Sequence, residues 1–322
     1  MIWSLRRLTL PWLVLVSAIA SAADAPVSAP RVEDELTEIL IRVSEPRYVA
    51  PTRRDSIGRI WAPVMINGRG PFRLVLDTGA THSAITAEVA AELGLSLTEN
   101  PPVLLRGVTG TATVPTVKVD SLVVGDLLLT GSRLPIVINA LGGAQGILGT
   151  EGLEGMRIRI DFRADEISIA RSHEQQAPAG YYTLPIQLSP NRLPLVDANI
   201  GGIRAKAIID TGGQASIGNN ALRDAILKSH FHPEATADEI IGATDDVQEG
   251  EGYPAPSVEI GELQVKGAHV TFGDMHIFEH WKLTDQPAMI IGMDTLGLLD
   301  TLIIDYKLSQ MQVRLVKPNK TR

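Results

Sequence analysis

A chain of 322 residues can hold two domains that each bury a core, and a composition of 44% hydrophobic and 20% charged residues excludes disorder of the whole. A net charge of −8 with a pI near 5.4 leaves nothing to neutralise phosphates, so nucleic acid is not an expected partner. The absence of cysteine removes disulfides, thiol catalysis and lipid-modified cysteine.

Residues 1–22 have the pattern of a secretory signal: Arg6 and Arg7, a mainly apolar stretch over 8–20, and Ala20-Ser21-Ala22 as a small-residue cleavage site. An uncleaved membrane anchor is the alternative, although the apolar stretch is shorter than the roughly 20 residues a spanning helix needs. No other segment could span. An Ala- and Pro-rich leader over 23–30 precedes apolar residues at 32, 36, 39, 40 and 43, a spacing that predicts a helix over 32–43 with acids crowding its first turns. This helix either packs on the domain that follows or covers a cleft in the manner of a propeptide.

Two strands, 59–66 and 72–76, joined through Asn67-Gly68-Arg69-Gly70, form a predicted hairpin that ends on Asp77-Thr78-Gly79. A helix over 86–93, closed by Gly94, follows. Residues 104–114 then read as a hairpin whose tip, Gly107-Val108-Thr109-Gly110, has the freedom to close over a bound chain. A further hairpin turns at Gly125-Asp126, an apolar strand ends at Gly149, and a strand over 158–162 carries Asp161. After a polar link over 173–180 the same order returns. A hairpin turning at Gly201-Gly202 ends on Asp210-Thr211-Gly212, and a helix spans 220–228. A second candidate flap over 240–252 contains Gly242-Ala243-Thr244, and later strands end at Gly292 and Asp305. The second triplet lies 133 positions after the first, and the later landmarks recur at offsets of 136, 143 and 144. Average composition places one Asp-Thr-Gly by chance in roughly one chain in fifteen or twenty of this length. Two in matching contexts, followed by matching landmarks, make a duplication, with lobes over 58–172 and 181–318.

Two carboxylates held together cannot both ionise, so they share one proton and supply an acid and a base at the same pH. That pair can hydrolyse an amide without a metal or a covalent intermediate. Taken singly, each Asp could instead be a turn acceptor of backbone N–H groups. Asp161 and Asp305, which lack the Thr-Gly turn, are read as such structural acceptors.

The triplets and the small residues after them, Ala80 and Gly213, resemble the aspartic proteases, and the retropepsin-like bacterial branch more than the pepsin branch. The resemblance implies a mainly β chain of two homologous barrel lobes with short helices and an active site at their junction. It places Asp77 and Asp210 as the catalytic pair and Thr78, Gly79, Thr211 and Gly212 as their support. It implies flaps at Gly107, Val108 and Gly110 and at Gly242 and Ala243. Both acids lie on one chain, so a monomer acting on peptide or protein is expected, exported to the periplasm or beyond, with no cofactor and no metal. The His230/His232 and His276/His280 spacings could ligate zinc, but no glutamate adjoins them in the metalloprotease arrangement. Neither a phosphate-binding Gly-rich loop nor a Gly-x-Ser-x-Gly elbow is present. A non-catalytic peptide-binding protein on the same fold is the other reading, because Thr81-His82-Ser83 faces Gln214-Ala215-Ser216 and the surroundings of the two acids therefore differ.

Overall fold

The computed structural model describes residues 39–42, 59, 61–138, 142–229, 234–244 and 246–316. The proposed signal and leader lie outside these, as do His230 and His232. Among the described residues the fold is mainly β, with four short helices. Alternation along the strands accounts for this. In Trp61–Ile66 the residues Ala62, Val64 and Ile66 are buried, while their neighbours are less so, as a strand with one core face requires.

In the first lobe, Trp61–Ile66, Arg69–Leu76, Gly146–Leu148, Ala84–Thr86, Leu127–Val137 and Thr116–Val124 close into a six-stranded barrel. Its first hairpin turns on two residues, Asn67 and Gly68, both at positive φ (49° and 70°), which is the type I′ geometry favoured by the strands' own twist. The turn is shorter than the four-residue connection the sequence suggests, and Arg69 and Gly70 belong to the second strand.

The second lobe repeats these pairings. Pro194–Ile200 pairs with Ile203–Ile209, which runs parallel to Ala288–Ile291, as Arg69–Leu76 runs parallel to Gly146–Leu148. Its long outer hairpin is interrupted, however. Leu263–Lys266 and His269–Phe272 are separate strands on either side of Gly267, and Ala255 N–H donates across the break to the carbonyl of Ala268 at 2.8 Å. The helix Asn220–Lys228 forms where expected, capped by the buried Asn219, whose side chain accepts from Leu222 N–H at 2.9 Å.

The expected helix over 32–43 is corrected at its C-terminal end: Ile39–Arg42 is a strand, paired in parallel with Leu263–Lys266. Ile39 and Ile41 are β-branched, the segment satisfies its backbone on an open sheet edge, and tertiary pairing overrides the helical spacing. The remainder of that expectation lies outside the described residues.

A five-stranded sheet takes strands from both halves in the order Glu166–Arg171, Met156–Asp161, Leu299–Asp305, Gln310–Leu315, Tyr182–Pro185. At its centre Asp305, fully buried, accepts from Arg157 Nη1 at 3.1 Å and from Ser172 Oγ at 2.8 Å. Its other oxygen accepts from the backbone N–H groups of Lys307 and Leu308. Asp161 similarly accepts from Arg163 and Ala164 N–H. Both acids are thus structural acceptors at a hairpin.

Replacing Arg157 with Met should strand the Asp305 carboxylate in the sheet that joins the halves and cost about 3–5 kcal/mol. Urea unfolding measures this, and an unchanged midpoint would contradict it.

Candidate active site

The strands Arg69–Leu76 and Ile203–Ile209 each end against a parallel neighbour, and the next backbone N–H continues the ladder. Asp77 N–H donates to Leu148 O at 2.9 Å and Asp210 N–H to Ile291 O at 3.0 Å. Each aspartate is therefore delivered by a strand pinned in register rather than by a free loop.

The two triplets are then locked to each other. Thr78 Oγ1 donates to Ile209 O at 2.5 Å, and Thr211 Oγ1 donates to Leu76 O at 2.6 Å. In return Thr78 N–H donates to Thr211 Oγ1 at 3.2 Å, and Thr211 N–H to Thr78 Oγ1 at 3.1 Å. Both threonines are buried, at 0% and 3% exposure, so all four bonds form away from water and leaving any unmade would be costly. Thr78 and Thr211 thus brace the two loops against each other.

Close approach of the loops explains the glycines. A Cβ added at Gly79 would lie 2.7 Å from Asp210 Cγ, and one added at Gly212 would fall on the Asp77 carboxyl. Each acid lies over the glycine of the opposite triplet, which brings the carboxyls of Asp77 and Asp210 beside each other. Their environments differ. Asp77 Oδ1 accepts one backbone bond, from Gly79 N–H at 2.9 Å, whereas Asp210 Oδ1 accepts two, from Gly212 at 2.8 Å and Gly213 at 3.0 Å. Asp77 binds its proton well above the ordinary Asp value of 3.8. Burial is the main cause, followed by the adjacent Asp210 charge and the hydrogen bond to it, with Gly79 N–H and the Arg59 guanidinium opposing. The geometry sets two carboxyls side by side in unlike hydrogen-bond surroundings.

Several supporting residues escaped sequence reasoning. Ser83 Oγ accepts from Gly149 N–H at 3.1 Å while its own N–H donates to Glu151. Ser216 and Asp294 repeat this, with Gly292 N–H on Ser216 Oγ at 3.1 Å. The signal was present, since the serines share the 133-residue offset and an acid stands two residues after each closing glycine. Arg59 had no such signal. Buried, it donates from Nη1 to Gly212 O at 2.9 Å, crossing from the first lobe to the second triplet.

Both candidate flaps are hairpins, Val103–Arg106 with Thr111–Val114 and Thr236–Ile241 with Val247–Pro254. Their tips meet. Gly107 faces Thr244, and added Cβ atoms at Gly110 and Gly242 would collide with Asp246 and Thr109. Val108 reaches further, packing against the second-lobe cluster of Met275, Ile277 and Phe278 and accepting from Ile277 N–H at 3.3 Å. Ala243 lies in the turn between the strands of the second flap. His276 and His280 sit at the ends of a one-turn helix, and among the described residues no group of three or more potential ligands is placed to hold a metal.

Comparison with known protein families matches the chain to Aspartyl protease over residues 62–151 and 196–295, one region in each half. The chain belongs to this aspartyl protease family, with two lobes in one chain. No curated protein matches the chain.

A carboxyl whose folded pKa is raised contributes stability that is fully present below its unfolded value and is lost as pH rises through the folded one. Asparagine cannot ionise and escapes that loss. Asp77→Asn should therefore melt higher than the native protein at pH 7, and the difference should shrink toward pH 4. Melting curves that separate by the same amount at both pH values would contradict the assignment.

Proposed function

We propose that this chain is an exported aspartic endopeptidase that hydrolyses peptide bonds with Asp77 and Asp210. The observation that carries the reading is the threonine crossing that lays each aspartate carboxyl over the glycine of the opposite triplet. Membership of the aspartyl protease family supports protease-type chemistry at the coarser level.

In this scheme the shared proton starts on Asp77, because Asp210 Oδ1 accepts two backbone N–H groups and Asp77 Oδ1 only one, which favours negative charge on the Asp210 side. Asp210 takes a proton from a water as the water oxygen adds to the peptide carbonyl carbon. Asp77 gives its proton to the carbonyl oxygen, and a neutral gem-diol results. In the second step Asp210 protonates the amide nitrogen, a diol hydroxyl returns its proton to Asp77, and the C–N bond breaks. An acid and an amine leave, and the pair regains its starting protonation. No cofactor or metal takes part in this scheme.

Export rests on the signal pattern of residues 1–22, with an uncleaved anchor as the alternative. Among the described residues no helix is long and apolar enough to cross a membrane. The monomer reading rests on both acids belonging to one chain, since a tether of a few residues gives an effective concentration of about millimolar and favours pairing within the chain over pairing between chains.

Asp77→Asn and Asp210→Asn should each reduce peptide hydrolysis by about a thousandfold or more while preserving circular dichroism, because the amide cannot pass the shared proton. Mixing the two variants should leave the solution inactive. Full turnover in either variant would remove the dyad and favour a binding protein, and recovery on mixing would show lobes pairing between chains.

A further inference from the structure

The second hydrogen bond on Asp210 comes from a peptide unit that is engaged at both ends. The Gly212–Gly213 peptide turns its N–H to Asp210 Oδ1 at 3.0 Å, and its carbonyl accepts from Arg59 Nη1 at 2.9 Å. The N–H and C=O of a trans peptide point in opposite directions, so a cation on the carbonyl holds the N–H against the carboxylate and polarises it as a donor. Three links run in line, from guanidinium to peptide to carboxylate. In the first triplet the corresponding peptide is Gly79–Ala80, and its N–H is directed elsewhere: Ala80 N–H donates to the backbone carbonyl of Asp77 at 3.3 Å. Asp77 Oδ1 is left with the bond from Gly79 N–H. The backbone surroundings of the two acids therefore differ at one peptide, and that peptide is the one Arg59 holds.

Arg59 is buried, at 8% exposure, and a buried guanidinium must be paired. It precedes the first strand of the first-lobe barrel, yet Nη1 ends on the second triplet, so this contact exists only when the two lobes are together. We infer that Arg59 is a positioning residue of the pair, which through the Gly212–Gly213 peptide biases the single negative charge toward Asp210 and so leaves the proton on Asp77. The inference rests on the hydrolytic reading above and deepens it, by naming what assigns the two roles. Arg59 also joins the lobes, and the test separates that role from this one. Its charge acts directly on Asp77 as well, as the smallest of the influences on that carboxyl. Other titratable groups near the two loops are engaged or neutral. His82 Nδ1 pairs with Thr81 Oγ1, Glu151 accepts from Ser83 N–H, and Asp294 accepts from Ser216. Burial, and then the Asp77 charge, push the Tyr306 phenol far up, so it stays neutral. In the scheme above Asp210 must start as the anion, and a preorganised cation and peptide dipole aimed at it set that starting state.

The test is Arg59→Met, which keeps an apolar stem and removes the guanidinium, beside Arg59→Lys, which keeps a charge but not the planar donor fork. Carbon-13 titration of the aspartate carboxyls reads each acid alone when the other is asparagine. In an Asp77→Asn background Arg59→Met should raise the Asp210 midpoint by about 0.5–1 unit, and in an Asp210→Asn background it should move Asp77 by less than half as much. Arg59→Lys should displace Asp210 in the same direction by a smaller amount, and if it alone folds, that displacement decides. With both acids present, the acidic limb of the pH–rate profile for a peptide substrate should move upward, because the pair gains its first charge at higher pH. A brace between lobes would instead lower turnover and the unfolding midpoint at every pH and leave the limb in place. An unmoved Asp210 midpoint, or equal movement of the two acids, would overturn the role of Arg59 and leave the dyad reading intact. A native protein without turnover would refute hydrolysis, and the carboxyl titrations would still decide whether Arg59 biases the pair.

Discussion

The crossing of Thr78 and Thr211 is the interaction on which the remaining architecture depends. Each hydroxyl accepts from the opposing backbone N–H and donates to the carbonyl before the opposing aspartate, so the last polar groups of two central strands are satisfied only by each other. In a buried site these bonds have no solvent substitute, and they fix the separation of the two strand ends. That separation presses each carboxyl onto the other loop's glycine and leaves space for no side chain at Gly79 or Gly212. The closeness of the two carboxyls is a consequence of hydrogen-bond satisfaction in the core.

On this two-fold frame the chain imposes differences. Asp210 is held by one more N–H than Asp77, and Arg59 reaches the Gly212 carbonyl from the first lobe only. The second lobe also carries the segment around His276–His280, whose Met275, Ile277 and Phe278 receive Val108 from the first flap. A duplicated site begins with two equivalent acids, while hydrolysis needs one donor and one acceptor at the same instant. In the proposed reaction the differences in the shell are what would separate those roles, and they leave the threonine crossing undisturbed.

Much of this was legible because duplication turns weak local signals into a repeated one. Asp77, Asp210 and both threonines stand out through the 133-residue offset, and the Asn67-Gly68 and Gly201-Gly202 turns declare their hairpins through residues that tolerate positive φ. What escaped was long-range or dependent on an edge. Ile39–Arg42 has helical spacing but completes a sheet, because an unpaired edge more than 200 residues away was invisible locally. Arg59 offers no periodicity, and its contact with Gly212 spans 153 positions. The meeting of the flap tips likewise depends on two hairpins in different lobes, and only the glycines that permit it could be read in advance.

The central claim is that one proton is shared between Asp77 and Asp210. Carbon-13 NMR of protein labelled at the aspartate carboxyls measures it directly across a pH titration, with Asp77→Asn and Asp210→Asn used to assign the two resonances. The account predicts two resonances that move together, with a proton retained by the pair well above the ordinary Asp value of 3.8, and a single simple titration in each variant. Two carboxyls that titrate independently in the native protein, each near that ordinary value and each unchanged by loss of the other, would contradict it.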